Sequence, residues 1–149
     1  MSRVSVKSVV EAEKGSSQRA VFDEHLELVR YRKVNTPYPF AYGFILNTSS
    51  EDGDGIDCYI LTNRHLKAGS IIDCVPIGLL EQFEDGEVDC KIISLIEGDD
   101  FKFEQEHVQQ IKRFILQIFK NYPEVEIRFG EYKDGEYAIK YINERARKR

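Results

Sequence analysis

Short apolar segments alternate with turn residues over the first two thirds of the chain. The segments are rich in β-branched and aromatic residues, and Gly, Asp, Asn and Pro lie between them. Because this composition is typical of strands joined by tight turns, the pattern predicts a β-rich region. The predicted strands cover residues 4–10, 26–32, 42–46, 56–62, 70–78 and 88–96.

The spacing of apolar residues changes from about Phe103, where it acquires the period of one helix face. The residues on this face are Val108, Ile111, Phe114, Ile115, Ile118 and Phe119. We expect this helix to end near Pro123. A last strand at 125–129 then leads through residues 133–136 into a terminal helix, which buries Ala138, Tyr141 and Ile142. Strands followed by helices predict an α+β fold.

Composition limits the architecture and the function classes. With 149 residues, 42% of them hydrophobic, the chain predicts a single domain over residues 1–149. Its 21 Lys and Arg against 26 Asp and Glu give a net charge of -5. This charge disfavours nucleic-acid binding, because a phosphate backbone would be repelled. No apolar run has the length of a signal peptide core or a membrane span, so we expect a cytoplasmic protein without a membrane partner.

Three cysteines, Cys58, Cys74 and Cys90, each follow an aspartate at intervals of 16 residues. Their odd number and the absence of a CxxC pair argue against a disulfide framework or a zinc site. Small core residues on successive strands are the favoured interpretation. Because side chains alternate along a strand, Asp57 and Lys91 would then face away from that core.

Four acids crowd the segment SEDGDGIDCY at residues 50–59. Two glycines allow a tight turn that brings Asp52, Asp54 and Asp57 together. Converging carboxylates take up protons unless a cation lies between them, and oxygen-only ligands favour Mg²⁺, Mn²⁺ or Ca²⁺. A calcium-binding EF-hand is excluded, because Ile56 and Asn63 occupy two of its ligand positions. A solvated acidic turn remains the alternative at this point.

Two longer segments carry a resemblance to a known family. YPFAYGFILNTSSEDGDGID at 38–57 and LKAGSIIDCVPIGLLEQFEDGEVDCKI at 66–92 resemble the family I soluble inorganic pyrophosphatases. The resemblance implies a small five-stranded OB-like β-barrel, closed or partly open, flanked by a long helix and a C-terminal helix. It also implies hydrolysis of pyrophosphate to two phosphates by a metal-activated water, with Mg²⁺ as cofactor or Mn²⁺ in its place. We further expect a homo-oligomer.

The same resemblance assigns roles to individual residues. Asp54 would orient or deprotonate the attacking water. The residues implied as metal ligands are Asp52, Asp57, Asp89, Glu84 and Glu11. Those implied to bind phosphate or substrate are Arg19, Arg30, Tyr42, Lys91 and Lys120.

Several positions depart from the family pattern. Gly55 replaces a proline, Glu84 an aspartate, Val21 a glutamate and Phe119 a tyrosine, while Arg19 stands where lysine is usual. These departures leave a second interpretation open, in which the protein acts on another phosphoanhydride or only binds metal and phosphate. A third is an OB-like nucleic-acid-binding module, which the acidic balance disfavours.

Overall fold

The computed structural model describes residues 4–50 and 54–147. Within these ranges the strands, in chain order, are β1 (Val6–Ala12), β2 (Gln18–Phe22), β3 (Leu28–Lys33), β4 (Ala41–Ile45), β5 (Asp57–Leu61), β6 (Ile71–Glu84), β7 (Glu87–Val88), β8 (Lys91–Ile96) and β9 (Ile127–Asp134). The helices are α1 (Gln105–Ile118) and α2 (Gly135–Glu144), with a short 3-10 turn at Phe119–Asn121 after α1. Helix α1 therefore lies between β8 and β9 along the chain, and α2 follows β9.

Five strands form a closed ring of backbone pairings. The antiparallel pairs are β1–β4, β4–β5, β6–β8 and β1–β6, and the parallel pair β5–β8 completes the ring. Strand β6 also pairs with β7 and β9, which extend the sheet beyond the ring. The ring and two helices confirm the predicted α+β fold with an OB-like arrangement of five strands. Neither helix in the described ranges has the length and apolarity needed to cross a membrane.

The core consists of two clusters on opposite faces of the strands. Along β5, Cys58 and Ile60 belong to a cluster that packs against α2, whereas Tyr59 and Leu61 belong to a cluster that packs against α1. This alternation is the period of two that strand geometry imposes. All three cysteines are buried without a disulfide, as predicted. The face bearing Tyr59 and α1 is also the face on which the polar groups of β5 lie.

The segment at residues 18–33 differs from the prediction. A single strand at 26–32 was expected, but the structure has a two-stranded hairpin, β2–β3. Leu26 lies in the turn with a φ of 61°, and the Asp23 carboxylate accepts hydrogen bonds from the backbone N–H groups of His25 and Glu27. Every residue of β3 is exposed, so no alternation of buried and exposed positions marked the hairpin in the sequence.

Strands β6 and β9 also run further than predicted, past the expected ends at residues 78 and 129. Position 78 of β6 is a glycine because Tyr132 of β9 packs over it. A Cβ there would lie 1.9 Å from Tyr132 Oη. At the end of β9, the Asp134 carboxylate accepts a hydrogen bond from the Tyr137 N–H at 3.0 Å and caps α2. The extended β6 carries the residues that line one wall of the site.

Candidate active site

Lys91 is the centre of a buried polar cluster at the start of β8. Its side chain is 8% exposed. The ammonium donates to Asp57 Oδ2 at 2.6 Å, to Asp89 Oδ2 at 3.1 Å and to Tyr42 Oη at 3.2 Å. All three hydrogen-bonding positions of the ammonium therefore have oxygen partners, as burial of such a group requires.

The strand register explains why these four residues meet. Tyr42 on β4 lies directly opposite Tyr59 on β5, and β5 runs parallel to β8. Asp57 and Tyr59 point to the same face because they are two residues apart, and the same spacing places Asp89 beside Lys91. The sequence therefore predicted correctly that these side chains face away from the cysteines.

Electrostatic interactions within the cluster set its protonation. Burial opposes the charge of Lys91, but the neighbouring Asp57, Tyr42 and Asp89 outweigh it and hold the lysine pKa well above its ordinary value. Burial also opposes ionisation of Asp57, yet the Lys91 ammonium lowers its pKa overall. For Asp89, burial and the negative charge of Asp57 outweigh Lys91 and raise the pKa to about 6. Lys91 is therefore positively charged and Asp57 negatively charged at neutral pH.

Glu11 and Arg19 form a second ion pair beside the first. Glu11 lies at an irregularity of β1, where the pairing with β4 shifts between Val10 and Ala12. Its Oε2 accepts a hydrogen bond from Arg19 Nη2 at 3.4 Å, and the Arg19 guanidinium lies 5.6 Å from the centre of the Tyr42 ring. Burial is the largest cause that raises the pKa of Glu11 to about 7, despite the opposing charge of Arg19.

The β2–β3 hairpin supplies basic side chains to the cleft. Arg19 lies opposite Arg32 across the hairpin, and Val21 lies opposite Arg30, so these four residues share one side. All four line the cleft. Arg32 is a cleft residue that the sequence reasoning missed, although its spacing of two from Arg30 placed both on the same strand face.

A cleft of about 1200 Å³ joins the two ion-paired groups to the hairpin. Asp54 and Glu84 line it together with the residues described above. The backbone carbonyl of Asp54 accepts hydrogen bonds from the N–H and the hydroxyl of Ser50, at 2.7 and 3.0 Å. Asp52, implied as a metal ligand, lies outside the described residues.

Lys120 is the one implied phosphate-binding residue that does not line this cleft. It lies exposed in the 3-10 turn after α1. Its neighbours Phe119, Asn121 and Tyr122 do line the cleft. The structure therefore brings together Glu11, Arg19, Arg30, Tyr42, Asp54, Asp57, Glu84, Asp89 and Lys91, and leaves Lys120 at the edge.

The donor atoms around the cleft suit a hard cation. Glu11, Asp57 and Asp89 offer carboxylate oxygens, and no three Asp, Glu, His or Cys side chains within residues 4–50 and 54–147 converge as a ready-made metal cage. Mg²⁺ rarely requires such a cage, since it retains waters and binds through one or two carboxylates and the substrate phosphates. The buried Oε1 of Gln82, another cleft residue, has no hydrogen-bond partner among the described residues. The residues present therefore fit a hydrated divalent cation.

Gly55, which departs from the family pattern, is closely packed. A Cβ at this position would lie 2.8 Å from Phe44 Cδ2 and 3.3 Å from the carbonyl oxygen of Ile45. Contacts under 3 Å force a neighbouring group to move. The glycine is therefore matched to the position of the Phe44 ring, which itself lines the cleft.

Comparisons with known proteins agree with this site. The family whose model matches the chain is described as inorganic pyrophosphatase, over residues 8–149. The inorganic pyrophosphatase of Sulfolobus acidocaldarius is 32% identical over 130 residues, covering 81% of this chain and 75% of that protein. The soluble inorganic pyrophosphatase of Oryza sativa subsp. indica is 32% identical over 145 residues, covering 90% of this chain and 67% of that protein.

Solved structures show the same fold. The inorganic phosphatase of Anaplasma phagocytophilum has a TM-score of 0.85 at 24% identity, covering 95% of this chain and 91% of that one. The inorganic pyrophosphatase of Helicobacter pylori has a TM-score of 0.84 at 24% identity, covering 97% and 95%. At this identity the structures support the fold, whereas the family match and the closer sequence relatives identify the family. This chain belongs to the inorganic pyrophosphatase family.

Proposed function

We propose that this protein hydrolyses inorganic pyrophosphate to two phosphates with the help of a divalent cation, Mg²⁺ or, in its place, Mn²⁺. The observation that carries the proposal is the buried Lys91 ammonium, hydrogen-bonded to Asp57, Asp89 and Tyr42 at one side of a cleft lined by arginines. Pyrophosphate is a small polyanion, and its hydrolysis requires cationic groups and metal-binding carboxylates that lie close together around the substrate. This cleft supplies both.

The cation would be held by carboxylates of the cleft. The residues we propose for this role are Asp52, Asp57, Asp89, Glu84 and Glu11. When bound, a divalent cation neutralises phosphate charge and lowers the pKa of water. The raised pKa values of Glu11, to about 7, and Asp89, to about 6, support the assignment, because both carboxyls are short of compensating positive charge.

Lys91 and Tyr42 would bind one phosphate of the substrate. For this the Lys91 ammonium would exchange its hydrogen bond to Asp57 or Asp89 for a phosphate oxygen, since a bound cation competes for these carboxylates. Lys91 donates to Tyr42 Oη, so the tyrosine hydroxyl is left to donate its own proton to another acceptor. Arg19 and Arg30 would neutralise the remaining phosphate oxygens from the hairpin. Arginine suits this role because its planar guanidinium can donate two parallel hydrogen bonds to phosphate. We keep a phosphate contact by the exposed Lys120 as a prediction from the family resemblance alone.

Asp54 would act on the attacking water. The water oxygen attacks one phosphorus, its proton passes to the Asp54 carboxylate, and the bond from that phosphorus to the bridging oxygen breaks. The bridging oxygen leaves with the second phosphate and takes up a proton. The position of Asp54 on the cleft and its exposure support this role, because a general base needs access to water.

Phosphate release from pyrophosphate tests these roles. We expect Asp54→Asn to lower kcat by about 10²- to 10⁴-fold, the usual contribution of a positioned general base. Asp57→Asn should reduce activity as well, and it should raise the Mg²⁺ concentration needed for half-maximal activity. Asp100→Asn is the matched control, since Asp100 is exposed and does not line the cleft. Undiminished release by both cleft variants would refute the site assignment.

A second candidate substrate is a longer phosphoanhydride. Val21 replaces an acid of the family pattern on the cleft wall, and Arg32 adds a cation beside Arg30. The loss of the acid and the presence of Arg32 both favour additional negative charge at the hairpin. Comparing kcat/KM for pyrophosphate and tripolyphosphate separates the candidates, and Arg32→Met should reduce the tripolyphosphate value alone if the longer substrate is preferred.

We also propose that the protein acts in the cytoplasm as a homo-oligomer. Val29 and Tyr31 lie on the side of β3 opposite the cleft, and both residues are 55% exposed. Burial of this apolar surface against a second copy would be favourable. Light scattering at several protein concentrations tests self-association, and a monomer at all concentrations would exclude it.

A further inference from the structure

Gln82 is a buried amide on the wall of the cleft that none of the roles above requires. It lies on β6 between Leu80 and Glu84, two residues from each, so the three side chains share one face. Its side chain is among the most buried in the protein, and the residue is 1% exposed. Glutamine is rarely buried to this extent, because both ends of its amide need hydrogen-bond partners.

One end of the Gln82 amide has a partner. Nε2 donates to Asp89 Oδ2 at 3.4 Å, and the Asp89 backbone N–H donates to the Gln82 carbonyl oxygen at 2.8 Å. The opposite orientation of the amide would direct its oxygen at the Asp89 carboxylate, which is repulsive. The amide nitrogen therefore faces Asp89, and Oε1 is directed away from it.

The other end of the amide has no partner in the described part of the chain. Gln82 Oε1 is fully buried and accepts no hydrogen bond from any residue in the described ranges 4–50 and 54–147. Leaving a buried carbonyl unpaired is unfavourable for folding. An apolar side chain of similar shape would avoid this penalty, so packing alone does not explain a glutamine at this position.

The local backbone also distinguishes this position. The pairing of β6 with β9 slips between Leu80 and Gln82, where Leu80 faces Tyr132 but Gln82 faces Phe129. One residue of β6 therefore lies opposite two residues of β9, which is a β-bulge. Bulges redirect side chains and are frequent beside active sites. Here the bulged residues are Gly130 and Glu131 of β9, which lie opposite Glu81, so the irregularity is one residue before Gln82.

We propose that Gln82 is a positioning residue for the divalent cation: its amide N–H holds the Asp89 carboxylate, and its Oε1 accepts a hydrogen bond from a water in the cation's hydration shell. The proposal rests on the proposed function, because it concerns the same cation. A hydrated Mg²⁺ presents water protons to acceptors around it, which gives Oε1 a partner that residues 4–50 and 54–147 do not supply. Gln82 touches neither substrate nor reacting atoms in this role.

Two measurements on the Gln82→Met variant separate this role from a structural one. Methionine is unbranched and close in volume, so it fills the same space without polar atoms. We expect the melting temperature without metal to change little, because removal of the unpaired buried carbonyl offsets loss of the long hydrogen bond from Nε2 to Asp89, at 3.4 Å. We expect the Kd for Mg²⁺, measured by calorimetry, to rise about 10- to 100-fold, as for other residues that orient a metal ligand.

Gln110→Met is the matched control, since Gln110 is an exposed residue of α1 and undergoes the same chemical change. Its Kd for Mg²⁺ and melting temperature should equal those of the unaltered protein. An equal Kd for Gln82→Met and the unaltered protein would overturn the Gln82 assignment and leave the proposed function intact. No binding of Mg²⁺ by the unaltered protein would instead overturn the proposed function, and this inference with it.

A measurement on the unaltered protein keeps the test open if Gln82→Met does not fold. The side-chain Nε2 protons of Gln82 give separate NMR signals in ¹⁵N-labelled protein. We expect both signals to shift as Mg²⁺ is added, in parallel with occupancy of the site. Signals that stay fixed while the metal binds would overturn the proposal.

Discussion

The Lys91→Met variant tests how much the Lys91 ammonium contributes to the free energy of unfolding by neutralising the buried Asp57 and Asp89 carboxylates. Lys91 lies 2.6 Å from Asp57 and 3.1 Å from Asp89, and it is the cation that donates directly to both carboxylates. Methionine keeps much of the side-chain volume but removes the ammonium. The two aspartates then face each other without a cation between them, in a region where water compensates their charge poorly.

The expected loss of stability depends on pH. Removing one partner of a buried ion pair typically costs about 3–5 kcal/mol in the free energy of unfolding. Without Lys91, the pKa values of Asp57 and Asp89 rise in the folded state, because burial and mutual repulsion then outweigh the weaker effect of the Arg19 charge on Asp57. A raised folded-state pKa means that stability is present at low pH and is lost as pH rises through that pKa. The loss should therefore be largest near pH 8 and smaller near pH 5, where a shared proton relieves the repulsion.

Urea unfolding of both proteins at the two pH values, with and without Mg²⁺, measures this effect. Mg²⁺ should restore part of the lost stability near pH 8, because it supplies the missing positive charge. Lys102→Met is the matched control, since Lys102 is exposed. An equal loss at both pH values would contradict this explanation of the charge cluster. So would an Mg²⁺ effect on the Lys91→Met variant no greater than that on the control.

Three further predictions concern other parts of the molecule. The pKa of Glu11 is about 7 against an ordinary 4.5, so its ionisation should lower the metal-free stability by roughly 3 kcal/mol as pH rises through this range. Glu11→Gln should remove most of this pH dependence of the free energy of unfolding, measured by urea titration. An unchanged pH profile would contradict the assignment. Burial raises the pKa of Cys58 to about 12, and the other two cysteines are also buried. A thiol reagent should therefore label no cysteine in the native protein and three after unfolding. Rapid labelling of the native protein would contradict this burial. Gly55→Ala should destabilise the fold by about 1–3 kcal/mol, because its Cβ would contact Phe44. The loss of stability caused by Gly55→Ala should be smaller in a protein that also carries Phe44→Leu. If the losses of the two single variants simply add in the double variant, the contact with Phe44 is excluded as the cause.

The alternation of side chains made much of the site predictable from sequence. Asp57 and Tyr59 were expected on the face opposite Cys58, and the structure has them there, beside Lys91. The prediction succeeded because the period of two is a local property of any strand. The family resemblance then supplied the roles, which neither spacing nor charge could have assigned.

The parts that were missed depend on contacts between distant segments. Gln82 became notable only when its pairing with β9, its contact with Asp89 and its unpaired oxygen were seen together. Arg32 belongs to a hairpin whose strand β3 is exposed throughout, so hydrophobic periodicity gave no sign of its register. Both residues reach the cleft through long-range strand pairing, which a single sequence does not reveal.

The yield of phosphate from pyrophosphate with the unaltered protein tests the proposed hydrolysis most directly. In the presence of Mg²⁺ we predict that two phosphates appear for each pyrophosphate consumed, that a chelator stops the reaction, and that added Mg²⁺ or Mn²⁺ restores it. Failure of the folded protein to release phosphate at any concentration of either metal would contradict the claim that this cleft hydrolyses pyrophosphate.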